Sequence, residues 1–276
     1  MKKRNEMLKN ILSMLFCSIF AIVFHAMLPQ DVNQAVMDSV LVEKFGAPVV
    51  GSLYFIVLYS LCVIIIQKWG KNVEMDGVEL GLRYGLGFGI IYQVGMFELV
   101  PGNNWNINVF VNQFWVGFGD LVPVLLLALL IVLVSMKKRG RKIYFRASKK
   151  SAGLGFACAV SYFLFRMIGY YTGLTKSAIH EYFVPVVVWT LCMSLAICGM
   201  ILCWYPIYEK CDKMVIKMLL ISFGTNWLWF NSFMALIMKG FLAVVLLRVG
   251  IDVVAILVGA YLWYIICEKP KAGKRV

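Results

Sequence analysis

Five ionisable residues sit well inside long apolar runs: Glu98, Asp120, Arg166, Arg248 and Asp252. In hydrocarbon each would cost at least about 2.5 kcal/mol, so each implies a partner or access to water. Arg248 and Asp252 are four apart, share one helix face and are expected to pair. Glu98, Asp120 and Arg166 fall at a similar depth in their runs, and with Asn231 they outline a polar cavity opening outward. The segment 225–231, TNWLWFN, adds Asn226 and Trp227 at mid-membrane, where amides bond across helices and rings stack on a ligand or pack in a core. The candidate ligand-binding set is therefore Glu98, Asp120, Arg166, Asn226, Trp227, Asn231, Arg248 and Asp252, a mixed-charge group suited to a small polar solute or a lipid headgroup.

Catalytic and metal chemistry leave weaker marks. His25 and His180 could join Asp120 or Glu181 as ligands, but no close-spaced ligand motif is present, so neither metal nor cofactor is expected. There is no nucleophile elbow and no Walker motif. GLGF, at 85–88 and again at 153–156, lacks the third glycine and the preceding strand of a dinucleotide site. Whether the chain is an enzyme stays open.

These residues must be held by membrane-spanning helices. The 276-residue chain is 62% hydrophobic and only 15% charged, with a mean hydropathy of +0.82, against about half apolar and a quarter charged for a soluble domain. A bilayer absorbs that excess in helices of about 20 residues each. Apolar runs predict eight spans, at 10–28, 47–67, 80–100, 114–136, 152–173, 182–206, 216–238 and 241–266. The first follows a basic start and resembles a signal peptide, but its length and the lack of a small-x-small site mark it as a retained span.

Orientation follows from charge. With both termini cytoplasmic, the inner segments hold 22 of the 27 Lys and Arg residues, leaving only Lys44, Arg166, Lys176, Lys239 and Arg248 elsewhere. The net charge of +13 is thereby accounted for without nucleic acid. The basic loop 137–150 is expected to lie on anionic headgroups, and 268–276 is a basic cytoplasmic tail. Most tryptophans fall at span boundaries, whereas Trp227 and Trp229 lie mid-span and break the pattern. Eight cysteines fall in apolar or cytoplasmic segments without C-x-x-C spacing, so disulfides are not expected. Between the first two spans, Val32, Val36 and Val40 have helical spacing that suits a short interfacial helix over 31–46.

A repeat of two hairpins, 80–136 and 148–206, is suggested by the two GLGF strings and by VPV at 122–124 and 184–186. Aligning the strings sets Glu98 opposite Arg166. Each hairpin also opens on a ribbon of small residues at four-residue spacing, Gly81, Gly85, Gly89 and Gly153, Ala157, Ser161, both expected to permit close helix packing. Pro48, Pro123 and Pro185 are placed near span starts, where the missing N–H costs nothing. The expected architecture is an all-α, multi-pass protein of the cell membrane, forming one membrane domain of about eight spans in four hairpins. Three function classes fit it: a transporter or binding protein for a small polar solute or lipid headgroup, a membrane-embedded lipid-modifying enzyme, or a non-catalytic interaction or immunity-type protein. The sequence does not fix an oligomeric state.

Overall fold

The computed structural model describes residues 2–28, 39–71, 73, 75–136, 147–208 and 215–268. The basic loop over 137–146, the tail from 269 onward, and Val32 and Val36 lie outside the described residues. The structure is all-helical, with no strand among the described residues: α1 (Lys2–Met27), α2 (Val40–Phe45), α3 (Ala47–Gly70), α4 (Gly77–Met96), α5 (Ile107–Leu130), α6 (Lys149–Tyr171), α7 (Phe183–Tyr208), α8 (Val215–Leu219), α9 (Thr225–Ile237) and α10 (Leu242–Glu268). A π-helical turn, Ile131–Ser135, continues α5, and another, Leu220–Gly224, joins α8 to α9.

Six helices are long and apolar enough to cross a bilayer: α1, α3, α5 with its π turn, α6, α7 and α10. Two expected spans do not meet that measure. α4 carries Glu79 and Arg83 in its first two turns, and the run expected at 216–238 is divided into α8, a π turn and α9. The outward faces of the long helices are apolar: Phe156, Leu164 and Ile168 on α6 and Leu195 on α7 are all more than half exposed. Such a surface suits lipid and not water.

α5 begins at Ile107, seven residues ahead of the expected 114. The Asn106 side chain caps it, accepting from the backbone N–H groups of Asn108 (2.9 Å) and Val109 (3.4 Å). Polar Asn108, Asn112 and Gln113 interrupt the apolar run without interrupting the helix. Pro123 is consequently not at a span start but inside α5, where it offers no N–H to the Gly119 carbonyl. Pro48 occupies the first turn of α3 as expected. Of the interfacial segment, Val40 opens α2, capped by Ser39.

The two ribbons of small residues pack closely, against different partners. A Cβ at Gly81, Gly85 or Gly89 would stand 2.6–2.9 Å from the nearest atom of Leu129, Leu125 or Leu121, so α4 lies along α5 in an antiparallel four-residue register. In α6 the ribbon faces α10 instead: a Cβ at Gly153 would stand 3.0 Å from Trp263, Gly259 lies against Ala157 and Cys158, and the Ser161 hydroxyl donates to the Ala255 carbonyl at 2.6 Å. α6 meets α7 through Gly155, against Cys198. Residues aligned by the GLGF strings therefore do not occupy equivalent contacts.

Gly85→Val would drive a side chain into the Leu125 backbone, and overpacking of this kind costs about 1–3 kcal/mol. A lowered melting midpoint in detergent is expected, whereas Gly51→Ala, with nothing within 4 Å of its Cβ, should leave the midpoint unchanged.

Candidate functional site

Arg166 and Asp252 are both completely buried. The α6 guanidinium meets the α10 carboxylate as a fork, Nε to Oδ1 at 2.5 Å and Nη2 to Oδ2 at 2.7 Å, the bidentate geometry that makes a buried arginine tolerable. Its remaining nitrogen, Nη1, donates to Glu98 Oε1 (2.9 Å) and to the Tyr170 hydroxyl (3.0 Å). Tyr162, Tyr170 and Trp189 place ring centroids 5.5–5.8 Å from the guanidinium carbon, within cation–π range.

The second oxygen of Glu98 accepts from Arg248 Nη1 at 3.1 Å. The intrahelical Arg248–Asp252 pair read from spacing is thus replaced by a circuit: Asp252 to Arg166, Arg166 to Glu98, Glu98 to Arg248. Two guanidinium groups face two carboxylates, so the formal charges cancel. Glu98 reaches both arginines because α4 ends at Met96 and a 3₁₀ turn, Phe97–Leu99, carries it inward. The connection 97–106 is secured by the Phe97–Phe110 ring stack (4.9 Å, 3°) and by left-handed Asn104 and Trp105.

Trp227 and Asn226 are buried in the core. The Trp227 indole N–H donates to Asp252 Oδ2 at 2.9 Å, and its ring joins the series Phe223, Trp227, Phe230, Tyr92, stacked at 5.7, 5.4 and 4.3 Å. Asn226 accepts from the Tyr92 hydroxyl (2.6 Å) and donates to Cys62 (3.3 Å). The Trp229 N–H donates to the Tyr54 carbonyl at 3.0 Å. Both mid-span indoles therefore have interior acceptors, which explains their departure from the boundary pattern.

Beside this cluster lies a cavity of about 440 Å³ among α1, α3, α5, α9, α10 and the end of α4. Its walls are mainly apolar, including Ile22, Val116, Phe233 and Val245, and its polar lining includes His25, Glu98, Asp120, Asn231 and Arg248. Of the eight residues read from sequence, Glu98, Asp120, Asn231 and Arg248 line this space. Arg166, Asn226, Trp227 and Asp252 stand behind it in the packed core. Asn231 donates to the Trp227 carbonyl at 2.9 Å.

Asp120 is buried, 5% exposed, and faces His25, whose Nε2 lies 3.6 Å from Oδ1. That is beyond direct hydrogen-bond length. The opposite ring nitrogen, Nδ1, lies 2.8 Å from the Ala21 carbonyl and must donate to it. α1 reaches this close because residue 119 is glycine: a Cβ there would stand 2.6 Å from Phe24 and 2.9 Å from the His25 ring. His180, the other candidate ligand, packs edge-on to Tyr171 instead, and no group of three metal-ligating side chains occurs among the described residues.

Sequence reading missed two features that spacing would have revealed. Tyr162, Arg166 and Tyr170 repeat every four residues and so line one helix face. Glu79 and Arg83 have the same spacing and form a buried pair (2.7 Å). Arg83 Nη1 also reaches the carbonyls of Leu202 (3.5 Å) and Cys203 (3.3 Å) in α7, and Trp204 donates to the Arg83 carbonyl at 3.2 Å.

No protein-family model, curated protein or solved structure matches this chain.

Removing one member of a buried ion pair costs about 3–5 kcal/mol, because the other charge is left unpaired. Arg166→Met should therefore lower the yield of folded protein and its melting midpoint severely. The double variant Arg166→Met, Asp252→Leu should recover a large part of both.

Proposed function

We propose that this integral membrane protein binds a small amphiphilic solute in the cavity beside Glu98 and Arg248 and carries it across the bilayer. One observation carries the reading: a 440 Å³ space whose walls are mostly apolar but which holds two carboxylates, a guanidinium, an imidazole and an amide. Binding pockets have this composition, with a few convergent polar groups on an apolar wall. A solute with an apolar body and a polar head would match both halves.

In this reading the chain crosses the cell membrane eight times in four hairpins, with both termini cytoplasmic and the cavity facing outward. Four arguments support it. α4 has 20 residues, about 30 Å at 1.5 Å per residue, which is one hydrocarbon thickness. The paired Glu79 and Arg83 remove the main electrostatic objection to that helix, and 215–237 is helical throughout despite its π turn. The distribution of Lys and Arg supports the orientation. The basic loop would then rest on anionic headgroups.

A lipid-modifying enzyme is the second reading, favoured by one specific contact: His25 and Asp120 face each other at the cavity wall and would serve as base and acid. Proteoliposomes separate the two. Uptake of unchanged solute supports the carrier, whereas conversion of a labelled lipid supports the enzyme.

A photoactivatable zwitterionic amphiphile should label the peptides containing Phe230–Met234 and Val244–Arg248, with labelling suppressed by excess unlabelled probe. Val245→Trp, which fills the cavity, should remove that labelling. Modification confined to outward residues such as Leu246 and Leu247 would count against the site. For topology, a lone cysteine introduced as Lys176→Cys in a cysteine-free background should react with an impermeant maleimide on intact cells.

A further inference from the structure

The Glu98–Arg248–Arg166–Asp252 circuit is electrically balanced, and both Glu98 oxygens are taken by guanidinium donors. Asp120 differs. It lines the cavity at 5% exposure, and no hydrogen-bond donor reaches it among the described residues. The one ionisable side chain within 4 Å of its carboxylate among the described residues is His25, and that ring has already committed its Nδ1–H to the Ala21 carbonyl. The nitrogen turned to Asp120 is therefore the one without a proton in neutral imidazole. Between Oδ1 and Nε2 there is room for a single proton: on the carboxyl, on the imidazole, or on neither. Without it the couple carries one uncompensated negative charge in an apolar space.

The other titratable or charged groups facing this couple are few. α3 contributes Tyr54 and Tyr59, the turn after α4 contributes Glu98 and α10 contributes Arg248. The Tyr54 hydroxyl donates to the Phe230 carbonyl at 3.1 Å, and Glu98 with Arg248 belongs to the balanced circuit. α9 brings Asn231 and aromatic rings, with no ionisable group in the lining. Nothing fixed in the cavity wall is therefore committed to neutralising Asp120. The surrounding Tyr54, Phe55, Phe230, Phe233 and Phe241 present aromatic surface to a cation.

We infer that the cavity selects hydrophobic organic cations, with Asp120 as counter-ion, and that each cation replaces the proton shared by Asp120 and His25. The exchange balances: the proton leaves the couple for water as the cation enters, so the charge within the cavity is unchanged. Such linkage couples cation affinity to pH, and cation release to proton uptake. The inference rests on the cavity being a binding site, and the experiment separates the two.

The full chain in lipid nanodiscs is titrated with tetraphenylphosphonium, and in parallel with tetraphenylborate, which matches it in size with opposite charge. The phosphonium should bind saturably and, at pH values where the couple holds its proton, tighten by about tenfold per pH unit and release about one proton per ion bound in weak buffer. Asp120→Asn should abolish binding and proton release while the variant keeps the wild-type elution profile on size exclusion and the wild-type melting midpoint, which shows it folded. Equal borate binding by the wild type, or phosphonium binding indifferent to pH and to Asp120→Asn, overturns cation selection and leaves the cavity site intact. Failure of both ions and of the zwitterionic photoprobe on the wild type overturns the site itself.

Discussion

A guanidinium with no exposure inside a hydrocarbon-spanning bundle is the constraint around which this molecule is arranged. Arg166 can be ionised there only because every face of it is occupied: Asp252 takes two nitrogens, Glu98 and Tyr170 share the third, and three aromatic rings surround the plane. Those partners come from α6, α7, α10 and the turn after α4, so satisfying one side chain fixes four segments of chain against one another. Arg248 extends the circuit back to α10 through Glu98. With contacts at two positions one turn apart, α10 can neither rotate nor slide without breaking both.

The same requirement explains the tryptophans. An indole N–H buried in an apolar slab needs an acceptor, and four of them use one on another helix: Trp227 on Asp252, Trp229 on Tyr54, Trp189 on Val94 and Trp204 on Arg83. These are long-range ties between helices, made where water is not available to compete.

What was legible in the sequence divides along physical lines. Apolar run length gave the membrane class, because hydrophobicity alone decides it. The choice of Glu98, Asp120 and Arg166 with Asn231 also rested on local information, polar groups at a common depth; Glu98, Asp120 and Asn231 line the cavity, as does Arg248, chosen for its spacing to Asp252, whereas Arg166 stands behind it. Pairing was harder. Four-residue spacing placed Arg248 and Asp252 on one face, yet it carried no information about which other helix stood opposite, and the stronger partner of Asp252 proved to be Arg166. Trp227 and Asn226 were read as lining a cavity when they support the wall from behind, a distinction that depends on helix rotation. The two ribbons of small residues predicted close packing correctly but not the partner, since α4 turns its ribbon to α5 and α6 turns its own to α10.

That last difference has a mechanical consequence. α6 presses on α10 through Gly153, Ala157 and Ser161 and on α7 through Gly155, and the buried salt circuit joins α6 to α10 a second time. The three helices form the stiff side of the vessel. α1, on the opposite wall, buries only Ser13, Cys17, Ser18 and Ala21 among its described side chains and contributes His25 near its C-terminal end. If the chamber is to admit an occupant, the least costly displacement is a swing of α1 away from Gly119, which would separate His25 from Asp120 in the same movement.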